Sequence, residues 1–236
     1  MNQQNYVNTY DKAEQRDTFA TLMKNVYLWM SLALAMTGLT AAYVAGNPGW
    51  MQTIFSGMNF WLLCLGELAL VWYFSARIMQ LSFTTAGILF AVYSILNGVT
   101  LSCIFMVYDL GTISSAFFTT AGTFGAMSLY GYCTKRDLSI WGRFLMMCLI
   151  GLLIATVVNW FVASSALYWG ITYAGVLIFC GLTAYDTHKI KKMLQEHGDE
   201  VNESTMKLAL LGSLELYLDF INLFIYMLRI FASSRD

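Results

Sequence analysis

Seven apolar stretches, each about as long as a bilayer is thick, constrain this chain more than any other feature. They run over roughly 25–46, 52–76, 82–107, 111–133, 139–163, 166–187 and 207–231. A hydrocarbon core of about 30 Å takes about 20 apolar residues as helix, because backbone groups without water must bond within their own segment. Polar breaks separate the stretches. Gly46-Asn47-Pro48-Gly49 reads as a turn and Tyr108-Asp109-Leu110-Gly111 as a tighter one, while Thr134–Asp137 and His188–Lys207 are charged connections. Ala163-Ser164-Ser165 is the thinnest boundary.

Composition points the same way. The 236 residues are 58% hydrophobic and 11% charged, whereas soluble domains carry about a quarter charged residues. Pro48 is the single proline, so long helices can run unbroken. The expected fold is an all-α integral membrane protein, a seven-helix bundle over residues 25–231. A cytoplasmic N-terminal segment (1–24) precedes it and a short tail (232–236) follows. The last helix is expected to be polar-striped and central.

Several functional classes drop out. A net charge of −1 excludes a basic nucleic-acid binder. Cys64, Cys103, Cys133, Cys148 and Cys180 form no CxxC pair and are odd in number, so they read as buried apolar residues. No lysine lies mid-span, which argues against a retinal protein. The mixed-charge first 24 residues do not read as a cleavable signal. No tightly bound cofactor and no catalytic activity are expected.

Lysine and arginine predict the orientation. With seven alternating spans, eleven of the 13 basic residues fall on one side, and only Arg229 and Arg235 on the other. The positive-inside rule then places the N-terminus in the cytoplasm and the C-terminus outside.

Ionisable residues within spans are costly, about 2.5–3.5 kcal/mol at a helix centre on insertion scales, and so mark function. Here they are Glu67, Asp186, Glu215 and Asp219, with Arg77, Arg143 and Arg229 as possible partners. Asp219 lies about 18 Å along the seventh stretch at the helical rise of about 1.5 Å per residue. Glu215, Asp219 and Asn222, spaced i, i+4, i+7, share one helix face. Asp186 ends the sixth stretch. Because the sixth and seventh spans are consecutive and antiparallel, Asp186 can meet a carboxylate of this stripe. Two carboxyls within bonding reach share a proton, and when both ionise they offer oxygens to a cation. Arg77 is the cation best placed to compete for Asp186, and Glu67 is a candidate path-lining residue. Gly122 and Ala126 give a small-xxx-small spacing suited to close helix contact. His188 and His197 flank the sixth span's exit, and Lys189, Lys191 and Lys192 read as a topology signal.

Ala184-Tyr185-Asp186, a polar loop, and then Leu216-Tyr217-Leu218-Asp219-Phe220-Ile221-Asn222 resemble the Bax inhibitor 1 family, also called the transmembrane Bax inhibitor motif family, in its bacterial YetJ-like group. The resemblance implies a seven-helix, pH-sensitive calcium leak channel, or a calcium/proton exchanger, in a bacterial inner membrane. It implies that Asp186 and Asp219 form the pH-sensing gate and touch calcium weakly and transiently, and that Arg77 is a latch to Asp186. Glu67 matches the family's second-span glutamate. Calcium is then a permeant ion, and the partners are the lipid bilayer, calcium and protons.

Two other readings stay open. An intramembrane aspartyl protease also needs two aspartates on neighbouring helices, but Leu216–Asp219 lacks GxGD glycines and the only proline is Pro48. A regulator that binds other membrane proteins without transporting anything fits the same composition.

Overall fold

The computed structural model describes residues 3–197 and 200–233. Among them the chain is helical from end to end: α1 (Gln3–Ala45), α2 (Pro48–Phe55), α3 (Asn59–Arg77), α4 (Phe83–Leu101), α5 (Ile104–Val107), α6 (Leu110–Cys133), α7 (Ser139–Val162), α8 (Ser165–His197) and α9 (Glu203–Ser233). A 3₁₀ turn, Ile78–Gln80, closes α3. Most of the tail expected over 232–236, including Arg235, lies outside the described residues.

Six of these helices are long and apolar enough to cross a membrane: Gln15–Ala45, Asn59–Gln80, Phe83–Val107, Ser139–Val162, Ser165–His197 and Glu203–Ser233. Many large side chains on them face outward, Trp72, Ile88, Leu153, Phe161 and Leu177 among them. A protein with this much apolar surface needs lipid around it. The chain is an integral membrane protein.

The seven-span count does not emerge on this measure, and α6 is the reason. It has 24 residues, but its buried stripe includes Thr112, Thr120 and Ser128. The hydroxyl groups that suit this stripe to helix contact lower the helix's apolar character. The second stretch also differs from expectation. Ser56, Gly57 and Met58 interrupt it, with Gly57 at φ +60, a left-handed conformation that glycine adopts without penalty. The third is broken at Ser102-Cys103, ahead of α5. At the other extreme, α1 carries the polar N-terminal residues into the same helix as the first span.

The chain divides into two compact units. The first holds α1–α4 and the chain as far as Met106, with Ile190–Leu214. Here α1 and α4 cross closely: a Cβ on Gly98 would come within 2.6 Å of the Thr37 carbonyl oxygen, and the Thr37 hydroxyl donates to the Ser94 carbonyl at 2.9 Å. The turn between α3 and α4 is held by charge. Buried Lys207 donates through Nζ to the carbonyls of Met79 (3.3 Å) and Leu81 (3.0 Å). Glu203 Oε1 accepts the Phe83 N–H at the start of α4. A cation beside a helix's last carbonyls and an anion at a helix's first N–H both complement the peptide dipoles.

The second unit holds Val107–Lys189 with the chain from Glu215 onward. Phe220 of α9 packs edge-on against Phe117 and Phe124 of α6. The close approach expected at Gly122 does not occur, for nothing lies within 4 Å of a Cβ there. It occurs one helical segment later, where Gly131 of α6 abuts the Ala184 backbone and Gly142 of α7 lies under the Tyr185 ring. Both glycines therefore press on the residues immediately before Asp186.

Candidate functional site

The sequence Ala184-Tyr185-Asp186-Thr187 sits on α8 against two glycines, Gly131 of α6 and Gly142 of α7, which let Ala184 and Tyr185 approach closely. The Thr187 hydroxyl meets the Ser128 hydroxyl at 2.9 Å, and both residues are buried. This fixes the rotation of α8 and turns Asp186 toward α9.

On α9, Glu215 and Asp219 project from one face, a turn apart. The Asp186 and Asp219 carboxyls are near enough to act on each other electrostatically. Asp219 is only 5% exposed, and its Oδ2 is buried with no hydrogen-bond partner. The remaining charges facing the pair are Glu215 and Lys189. Lys189 Nζ stands 2.7 Å from Glu215 Oε1. Asp186 and Lys189 are spaced i, i+3 on α8, so the cluster is two short ladders: carboxyl and ammonium on one helix, two carboxyls on the other.

The expected meeting of Asp186 with the α9 stripe is therefore present. Its nearest cation was not apparent from the sequence, where Lys189 read as a topology signal. The usable clue was its i+3 spacing from Asp186, together with the i−4 spacing of Glu215 from Asp219. Ser128 and Thr187 were likewise unmarked.

The other candidates lie elsewhere. Asn222, on the same face of α9, donates its side-chain amide back to the Leu218 carbonyl at 2.8 Å. Arg77, at the end of α3 in the first unit, is exposed and donates to Gln80. Glu67 accepts from the Thr100 hydroxyl of α4. Arg229 lies against two aromatic faces, 5.5 Å from the Tyr168 ring centre and 5.1 Å from that of Tyr226, a favourable cation–π arrangement. Arg143 is exposed. His197 contacts the Met193 carbonyl at 3.1 Å, and His188, two residues after Asp186, has a buried Nδ1 without a partner. Among the described residues, no group of three or more His, Cys, Asp or Glu is arranged to hold a metal ion.

Known proteins are similar to this chain over nearly its whole length. The inner membrane protein YbhL of Escherichia coli K12 is 47% identical over 223 residues, covering 94% of this chain and 95% of that protein. A protein of Borreliella burgdorferi is 43% identical, with coverage of 91% and 95%. One of Deinococcus radiodurans is 40% identical, with 93% of each chain covered. The family model described as inhibitor of apoptosis-promoting Bax1 matches residues 20–236. That span includes the Asp186–Asp219 pair and every helix from the apolar part of α1 onward, and the chain belongs to this Bax inhibitor family.

Proposed function

We propose that the protein is a pH-sensitive calcium leak channel whose gate is the Asp186–Asp219 pair. The observation that carries this reading is the meeting of two carboxyls at a site where Asp219 Oδ2 has no donor. Carboxylates only accept hydrogen bonds, so two of them bond to each other only through a proton that they share. Losing that proton leaves a pair of anions, whose charge holds a cation, in this reading the Arg77 latch, and closes the path; taking the proton up releases it. Such a contact has two states, set by protons and cations, at a level where a membrane path would narrow.

In this reading α6 is the seventh span. At 24 residues and about 1.5 Å per residue it is long enough, and its hydroxyl-bearing stripe turns inward. The N-terminus is cytoplasmic and the C-terminus external, in a bacterial inner membrane, as the basic residues predict. The central helix is α9, whose most apolar window is 67% buried. Glu67, Glu215 and Asn222 line the path, and Arg77 keeps the latch role that the family likeness gives it. Calcium binds weakly and in passing, as conduction requires. The protein is not an enzyme in this reading and carries no resident cofactor.

The deciding experiment is calcium flux through the purified protein in liposomes, followed as pH is stepped from alkaline to mildly acidic. A leak that rises several-fold on acidification, without a change in the calcium concentration giving half-maximal flux, is the expected result. Flux that falls in acid and returns with excess calcium means that protons and calcium compete, and the exchanger reading replaces the channel. No flux at any pH leaves the protein as a regulator of other membrane proteins.

A further inference from the structure

At the end of α8 and α9 away from the aspartates, a guanidinium rests on a fixed aromatic platform. Tyr226 of α9 stacks on Phe179 of α8, with ring centres 5.8 Å apart and planes at 27°. Gly175 makes room for that ring: a Cβ there would come within 2.6 Å of Tyr226 Cε1. Tyr168 is braced edge-on by Trp169, with ring centres 5.5 Å apart. The Arg229 guanidinium carbon lies 5.1 Å from the Tyr226 ring centre and 5.5 Å from that of Tyr168. Arg229 enters none of the ion pairs among the described residues. No Asp or Glu occurs over 165–185 of α8 or 220–233 of α9. Asp109, ahead of α6, caps that helix and accepts the Thr112 N–H at 3.0 Å.

We propose that Arg229 and its two tyrosines form a binding site for the phosphate of an anionic phospholipid headgroup. The inference is independent of the gate, and three observations support it. The first is height. Tyr168 stands three residues after the start of α8, and Arg229 four residues before the end of α9. At about 1.5 Å per residue, both lie within about 6 Å of those ends, the level where tyrosine and tryptophan gather among lipid headgroups. The second is the free chemistry of the guanidinium. Stacking on the rings occupies its faces and leaves the N–H fork open in its plane. A phosphate accepts two such bonds at once, and the neighbouring segments offer no carboxylate in its place. The third is access. Tyr168 is 36% exposed and Arg229 half-buried, so a headgroup reaches the fork from the lipid without any helix moving. In the orientation that the basic residues predict, Arg229 stands on the side with few of them, so it is not accounted for as a topology signal.

The test is native mass spectrometry of the purified full-length protein, stripped of lipid in detergent and titrated with phosphatidylglycerol. The wild type is expected to hold one phosphatidylglycerol more tightly than those that follow. Arg229→Gln should weaken that first lipid about tenfold, since hydrogen bonds between charged groups are lost at a half-exposed site. Arg229→Lys should keep only part of the affinity, because an ammonium carries the charge without the fork. Phosphatidylcholine, whose headgroup carries its own cation, should bind the wild type and Arg229→Gln alike. Wild-type retention of phosphatidylglycerol by Arg229→Gln overturns the proposal. So does an equal loss of both lipids, which marks a structural role for the arginine. Displacement of the first lipid by inorganic phosphate overturns the lipid assignment in favour of a soluble anion. Should Arg229→Gln not fold, Tyr168→Leu decides. Loss of this exposed ring leaves the helix pair its other contacts, and the first phosphatidylglycerol should bind severalfold more weakly; unaltered binding rejects the site.

Discussion

The hydroxyls of Ser128 and Thr187 meet at 2.9 Å with both residues buried, joining α6 to α8 at the position next to Asp186. A hydroxyl pair inside a membrane protein has no water to fall back on, yet measured interhelical bonds of this kind average only about 0.6 kcal/mol. The bond is therefore a setting for helix rotation more than a source of stability. Ser128→Ala and Thr187→Val should each lower stability by about 1 kcal/mol. Their double mutant should cost less than the sum, as read by thermal unfolding in detergent. Strict additivity would show that the two hydroxyls do not interact.

Two glycines of α6 should respond in opposite ways to the same substitution. Gly131→Ala drives a methyl into the Ala184 backbone, and overpacking of this kind typically costs about 1–3 kcal/mol. Gly122→Ala meets nothing within 4 Å and gains helix propensity, up to about 1 kcal/mol. Unfolding temperatures of the two proteins should bracket the wild type, with Gly131→Ala below and Gly122→Ala at or above it.

If Asp186 and Asp219 hold one proton between them, neither works alone. Asp186→Asn and Asp219→Asn should each flatten the pH dependence of calcium leak, and the double mutant should add little, since groups that act as a unit are strongly non-additive. The sign follows from the shared proton. As pH rises the pair loses that proton, and the ionised Asp186 of the proposed latch then holds the Arg77 cation and closes the path, so wild-type leak should fall toward alkaline pH, while Arg77→Ala should keep it raised there. Additive effects of the two aspartate mutations in liposome flux would sever the pair.

Charge predicts the topology of the spans. Reporter fusions should place the N-terminus in the cytoplasm and the C-terminus outside. A fusion in the α5–α6 connection near Asp109 should report the outside, and one near Lys135 the cytoplasm. Both of those connections on one side would mean that α6 does not cross.

The sequence made α7 legible to within a residue, because its apolar run is uniform and bounded by Asp137 and Ser164. It made α8 legible only at the start. Beyond Asp186 the helix goes on to His197, since Lys and Glu are good helix formers and Lys192 pairs with Glu196 one turn on. Hydropathy marks where lipid ends, and a helix need not end there. That same overrun conceals Lys189, which reads as loop charge when the helix is stopped at 187 and as a site residue once it continues. The aspartates, in contrast, were visible as charges in the wrong solvent. Ser128, Thr187 and the glycines were not, for small residues announce contact only when their neighbours are known.

The burial of α9 bears on how the protein is made. This helix is synthesised after α1–α8, and it brings Glu203, Lys207, Glu215 and Asp219, charges that enter lipid at considerable cost. Its most apolar window is 67% buried, against 6–33% for the other candidate spans. Lipid alone is thus a poor destination for α9. Its proper solvent is the surface formed by helices already in place, so insertion of the last segment and completion of the tertiary fold become a single event, and a nascent chain halted before Glu203 is left with an open seam.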